Sequence, residues 1–271
     1  MLLANIYVAK KIHSSFPECS ILRRHPQPPV TNFDVLKKAL EEKQIILEVS
    51  SSKALADSLD KAVVMDEPYF NKLIRIMTTR CMMQAVYFCS GTLAEREFRH
   101  YGLASDIYTH FTSPIRRYAD LMVHRLLAAC IGYDQHYSSD LADKRKIEEM
   151  CDVLNYRHRM AQQASRSSVE LYTHLFFKDK NVVEDAFVIR ILKNGFSVII
   201  PTYGIEGIVY SKEMDQNKLK VGMNGISWEN GAVNLFDKVK VKVSIEEAGV
   251  AAAQRSKLAL ALVHPVIPGF N

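Results

Sequence analysis

The residues best equipped for chemistry lie in the run Tyr101 to Leu127, YGLASDIYTHFTSPIRRYADLMVHRLL. Tyr, His, Thr and Ser crowd in front of paired arginines there, which is the chemistry of holding phosphates. Ser113 stands where an N-cap belongs and Pro114 suits a first helical position, so the pattern predicts a helix with Arg116 and Arg117 in its first turn. Free N–H groups and the helix dipole already favour anions at that end. At about 100° per residue, Arg116, Arg117, Asp120 and His124 share one side, and Ile115, Tyr118, Ala119, Met122 and Leu126 form the other. Asp120 follows Arg116 by one turn and is expected to hold its guanidinium in place. The same spacing also reads as a surface ion pair on an ordinary amphipathic helix.

The elements that position this segment follow from pattern. Met1 to Phe16 has helical spacing, and the prolines from Pro26 to Pro29 predict an irregular basic loop through Leu22, Arg23, Arg24 and His25. Asn32 to Lys43, with Asn32 as cap, Ser52 to Ala62 and Pro68 to Met82 read as helices, and Asp143 to Phe177 as one long helix. Periodicity leaves Met83 to Cys89 open between a buried strand and a helix continuation. From Val182 the pattern alternates, in VVEDAFVIRIL, GFSVIIP, EGIVYS, DKVKVKVSIE and KLALALV, and five short strands in that order suit a small barrel. Tyr108 and His110 alternate on an extended segment, so both are candidates to face a ligand, with core packing the competing role for Tyr108. His124 reads as a packing histidine.

Composition sets bounds on all this. The 271 residues suffice for two modest domains, and 35 basic against 30 acidic side chains give a net charge of +5, which helps a polyanion approach without requiring one. Cys19, Cys81, Cys89, Cys130 and Cys151 show no CxxC spacing, which predicts reduced, packed thiols. No apolar run reaches bilayer length and MLLANIYVAKK lacks a basic leader, so the expected protein is intracellular with no membrane partner.

The phrase THFTSPIRRYADLMVHRLL resembles the signature of the ribonuclease II and ribonuclease R (RNB) family of exoribonucleases. MLLANIYVAKKIH, ILRRHPQPP and RCMMQAVYFCSG are most similar to its eukaryotic exosome members. The last five strands resemble an S1-type OB-fold, with YGIEGIVYS as its central hairpin. The resemblance implies an α+β protein: residues 1–180 as the C-terminal part of an RNB catalytic domain, 181–265 as the five-stranded barrel, and 266–271 as a tail. It implies 3′ to 5′ hydrolysis of single-stranded RNA to nucleoside 5′-monophosphates, with exosome core subunits as partners of the parent protein and the nucleus and nucleolus as its location, the cytoplasm being the alternative.

The family's reaction implies two Mg²⁺ ions held by a DxxxxxDxDD-like cluster. No such cluster stands in this sequence: Asp57 and Asp60 fit a solvated helix face, Asp134 and Asp140 loops, Glu246 and Glu247 the barrel half. The expectation is a C-terminal piece of a longer enzyme that binds no Mg²⁺ itself, with an RNA-binding scaffold as the alternative. By resemblance Arg116 is the residue at the scissile phosphate, with Arg117 the second choice. The RNA contacts implied are Arg117, Arg24, His25, Tyr108, His110, Thr112, Ser113 and Tyr210, with Asp120 supporting. Gln162 stands where bacterial relatives carry a glutamate. In the barrel, Ser197 takes the place of the usual RNA-reading aromatic, Phe196 is expected to face the core, and Tyr210 takes the place of the usual histidine.

Overall fold

A computed structural model describes residues 1–65, 67–133, 138–211, 219–229, 231–246 and 257–270; Asp134 and Glu247 lie outside them. In chain order the elements are α1 (Leu2–Ser15), β1 (Ile21–Arg24), α2 (Asp34–Glu41), α3 (Ser52–Lys61), α4 (Phe70–Cys81), β2 (Val86–Cys89), α5 (Tyr118–Cys130) and α6 (Lys144–Phe177). Strands β3 (Val182–Leu192), β4 (Gly195–Ile200), β5 (Ile205–Tyr210), β6 (Lys220–Val221), β7 (Gly225–Trp228), β8 (Gly231–Asn234), β9 (Lys238–Glu246) and β10 (Lys257–His264) follow. The fold class is α+β, as the alternation of patterns predicts.

Two compact units emerge: residues 1–32, 49–56 and 80–165 form one, and residues 33–48, 57–79 and 166–271 the other. The second unit joins residues 33–48 and 57–79 to the barrel strands. At the start of α4, Tyr69 stacks on Phe187 and Phe70 meets Phe236 edge to face.

In the first unit, α1 and α5 cover the two-stranded β1–β2 sheet. Ala9, Ile12, Ile21, Leu22, Phe88, Met122, Val123 and Leu126 make its core. Fully buried Val123 and Leu126 each contribute about 1.5–3 kcal/mol of transfer free energy. Leu22, Arg23 and Arg24 are strand residues here, not loop: β1 pairs antiparallel with β2, Arg23 opposite Tyr87, and these cross-strand bonds satisfy backbone that the prolines leave free only from residue 26 onward. The expected cap at Asn32 is also displaced. Its side chain donates to the Cys81 carbonyl, and α2 starts at Asp34 after a 3-10 turn, with no side-chain cap.

In the second unit β3, β4, β5, β9 and β10 close a barrel in the order β10-β5-β4-β3-β9. Phe196 is fully buried and stacked on Phe270 at 5.3 Å, while Ser197 is half-buried. Gly195 opens β4 at φ 155°, and a Cβ there would strike the Val209 carbonyl, so the strand entry requires glycine. The small sheet β6-β7-β8 was not expected from the sequence.

Candidate nucleic-acid interface

The paired arginines do not sit in a helix. Ser113 to Arg117 form a tight turn in which the Arg116 and Arg117 N–H groups donate to the Ser113 carbonyl at 3.3 and 3.2 Å, and α5 begins only at Tyr118. Ser113 is not a cap. Its own N–H donates to Asp120 Oδ1 at 2.7 Å, so the chain must curl back over the helix end. Ile115 and Tyr118, expected on the core face, are exposed as a result.

Asp120 is fully buried, and it holds Arg117, not Arg116. Arg117 Nε donates to Oδ2 and Nη2 to Oδ1, both at 2.8 Å, a two-pronged pairing with the planar guanidinium. One carboxylate therefore ties both ends of the turn. Spacings of three and four residues both bring side chains together on a helix, and the late helix start selects the closer pair. Arg116 is left at the tip of the turn, exposed, and among the described residues no protein group pairs with its guanidinium.

Behind the turn lies a second cation that sequence reasoning passed over. Arg23 stands 4.6 Å over the Tyr87 ring, and burial, with Arg117 nearby, pushes its pKa down from the ordinary arginine value. The Tyr87 hydroxyl shares a 2.6 Å hydrogen bond with His110 Nδ1. Burial, then the charges of Arg23 and Arg117, hold His110 down to about 3, so its imidazole is neutral at physiological pH. Burial likewise raises the Tyr87 hydroxyl. Asn155 of α6 grips Tyr87 like an adjacent strand, accepting from its N–H and donating to its carbonyl at 2.8 Å each.

Tyr108 is a core residue, which corrects its placement among ligand-facing candidates. It is 5% exposed, and its hydroxyl accepts from Asn5 Nδ2 at 2.8 Å. Asn5 also accepts from the Phe111 N–H, so one buried amide on α1 anchors two points of the segment. A lone polar residue amid the apolar MLLAN run was the available signal. Thr109 is fully buried with its hydroxyl on the Ile21 carbonyl, and Thr112 is half-buried. His124 donates to the Phe111 carbonyl at 2.8 Å and stacks on that ring, a packing role.

Arg24 is half-buried, with Glu97 at 3.8 Å. His25 accepts the Gly102 N–H on Nδ1 at 3.1 Å, and burial lowers its pKa, so the ring is a neutral brace for the turn at Tyr101 to Leu103. A Cβ at Gly102 would crowd that same nitrogen. Tyr210, at the end of β5 in the second unit, is 56% exposed.

For Mg²⁺ the residues present do not fit. Asp120, the carboxylate of this cluster, already accepts three hydrogen bonds, and no group of three or more His, Cys, Asp or Glu among the described residues is placed to hold a metal ion. No described helix is long and apolar enough to cross a membrane.

An RNB domain model matches residues 1–133 and an S1 domain model residues 182–258. The exosome complex exonuclease RRP44 of Mus musculus is 51% identical over the whole chain, which spans 28% of that protein's length. Among solved structures, Mycoplasma genitalium RNase R in complex with ribose-methylated single-stranded RNA shares the fold, with TM-score 0.76 and 23% identity over 96% of this chain and 40% of that one. Yeast Ssd1, a pseudonuclease, gives TM-score 0.70 and 26% identity over 85% of this chain and 29% of that one. With the SPIRR turn and the five-stranded barrel following one another in a single chain, this protein belongs to the RNB family of ribonuclease II and ribonuclease R and carries its S1 domain.

Proposed function

We propose that this chain supplies the phosphate-gripping region and the S1 barrel of a 3′ to 5′ exoribonuclease that degrades single-stranded RNA to nucleoside 5′-monophosphates inside the cell, working with exosome core subunits in the nucleus and nucleolus. The observation carrying this reading is the Asp120-locked turn, on which the Arg116 guanidinium has no partner among the described residues. A free guanidinium on a fixed turn can donate to two phosphoryl oxygens as charge develops on them, without reorganising when the bond breaks. Arg117 fixes the turn, Arg24 and Thr112 meet the neighbouring backbone, and Tyr210 stacks a base on the barrel. His110, neutral and hydrogen-bonded to Tyr87, is a poor proton acceptor and shapes the wall. Mg²⁺ belongs to the parent enzyme's reaction, and no step involving it is assigned to these residues.

The test is Arg116→Lys in the intact parent enzyme under single-turnover conditions with saturating enzyme. Lysine keeps the charge but loses the fork, so the rate should fall about 100-fold or more while RNA affinity, spread over many phosphates, changes little. Cleavage at the parental rate would move the assignment to Arg117. The second reading, an RNA-binding scaffold without hydrolysis, is favoured by the likeness to the pseudonuclease Ssd1. End-labelled RNA incubated with the parent and Mg²⁺ separates the two: stepwise shortening from the 3′ end excludes the scaffold, and intact RNA supports it.

A further inference from the structure

Strand β9 alternates lysine with valine over six residues. Its sequence KVKVKV turns Val239, Val241 and Val243 into the barrel, where they are at most 1% exposed, and turns Lys238, Lys240 and Lys242 outward, all exposed. Alternate residues of a strand lie about 6.8 Å apart, so the ammonium groups form a regular row. Lysines on strands commonly guard an edge against pairing with other chains, but β9 has no free edge: β3 and β10 flank it in a closed barrel.

Among the described residues, counter-charge along the row is sparse. Asp185 of β3 lies opposite Lys240 and pairs with Lys238 at 2.7 Å, while Lys242 faces only Val183 and Ala261 across the two neighbouring strands. The row ends at Phe187, covered by Tyr69, and at Glu246, opposite Lys257. Like charges held this close repel one another, and a rigid row of them fits a ligand of opposite charge. Protein interfaces are poor in lysine and built round aromatic anchors, and no Phe, Tyr or Trp is the cross-strand partner of Lys240 or Lys242. A phosphate backbone needs no such anchor.

We infer that the Lys238, Lys240 and Lys242 row is a sequence-independent track for the backbone of single-stranded RNA, separate from the ligand face that OB-folds build on their second and third strands. Those strands are β4 and β5 here, and neither is a neighbour of β9.

The experiment is fluorescence anisotropy of labelled oligouridylate with the full chain at several salt concentrations. Changing Lys238, Lys240 and Lys242 together to Gln should lower the slope of log affinity against log salt by about 1.4 to 2, from two to three phosphate contacts, and weaken binding about tenfold at ~0.1 M salt. Changing all three to Arg should restore it. Should the triple Gln variant fold poorly, Lys242→Gln alone gives the reading, with a slope lower by about 0.7. An unchanged slope in the Gln variants, or no RNA binding by the unsubstituted chain, overturns the inference. So does loss of poly-glutamate binding with RNA binding intact, which would make the row a site for an acidic protein. Failure of Arg116 in its rate assay leaves this measurement standing.

Discussion

Asp120→Asn should destabilise the first unit by roughly 2–4 kcal/mol, a large effect for a change of one atom. The carboxylate accepts from Ser113 N at 2.7 Å and from two nitrogens of Arg117 at 2.8 Å. Asparagine offers one oxygen. If that oxygen keeps the Oδ1 position, it retains Ser113 and Arg117 Nη2, but the new NH₂ then points at the Arg117 Nε–H; flipped, it loses two bonds to keep one. Each charge-assisted bond is worth about 1.5–3 kcal/mol, and stranding one partner of a buried pair costs about 3–5 kcal/mol. Arg117's side chain is 21% exposed against 0% for Asp120, so partial rehydration of the guanidinium brings the total below that upper range. Urea unfolding followed by far-ultraviolet circular dichroism measures the loss, and a double-mutant cycle with Arg117→Met should return a coupling of about 2 kcal/mol. A loss under ~1 kcal/mol, or a coupling near zero, would refute the description of Asp120 as the lock on the turn.

Arg117→Lys should reproduce part of the Asp120→Asn loss, about 1–2 kcal/mol in the same urea titration, because a lysine cannot make the two-pronged contact, whereas Arg116→Lys should stay within ~0.5 kcal/mol. His110 and His100, held to about 3 and about 4 chiefly by burial, stay neutral in the folded chain below the ordinary histidine value while the unfolded chain takes up protons. Stability should therefore fall as pH drops from ~6.5 towards 4, with a slope under the full 1.4 kcal/mol per pH unit per ring because both rings keep some solvent contact; stability flat across that window in denaturation at stepped pH would contradict it. Phe196→Ala should cost the barrel about 3–5 kcal/mol by emptying the fully buried site against Phe270, read from the fluorescence of Trp228, the chain's one tryptophan.

The barrel was legible chiefly from its last two strands, whose sequences alternate. KVKVKV and KLALALV have one period and one buried face, and they became β9 and β10, which pair antiparallel. The sheet of β6, β7 and β8 was not, since strands of two to four residues among glycines and asparagines carry no period to detect. Strand β1 was hidden for another reason. ILRR has no alternation of its own, and only β2, distant in sequence, makes it a strand. The start of α5 misled because Ser113 and Pro114 satisfy local capping rules, and a tertiary contact competes with them and wins: the Ser113 N–H goes to a buried carboxylate seven residues on, and the Arg116 and Arg117 N–H groups go to the Ser113 carbonyl.

That competition also explains why the adjacent arginines are placed differently. A guanidinium has five N–H donors in a fixed fork, and Asp120 takes the Nε edge of Arg117, the edge best shaped for two oxygens at once. What remains of Arg117 can add charge to the pocket but cannot present that edge to a phosphate. Among the described residues nothing pairs with the Arg116 fork, and it stands on a backbone that Asp120 immobilises through Ser113 and Arg117. Precision at a reacting phosphate needs both properties, a free donor set and a fixed origin, and a single arginine tied by its own carboxylate would give up the first to gain the second. The sequence RR followed by Asp120 divides them between two side chains. For that reason the substitution that disturbs Arg116 most without touching it is the one at Asp120.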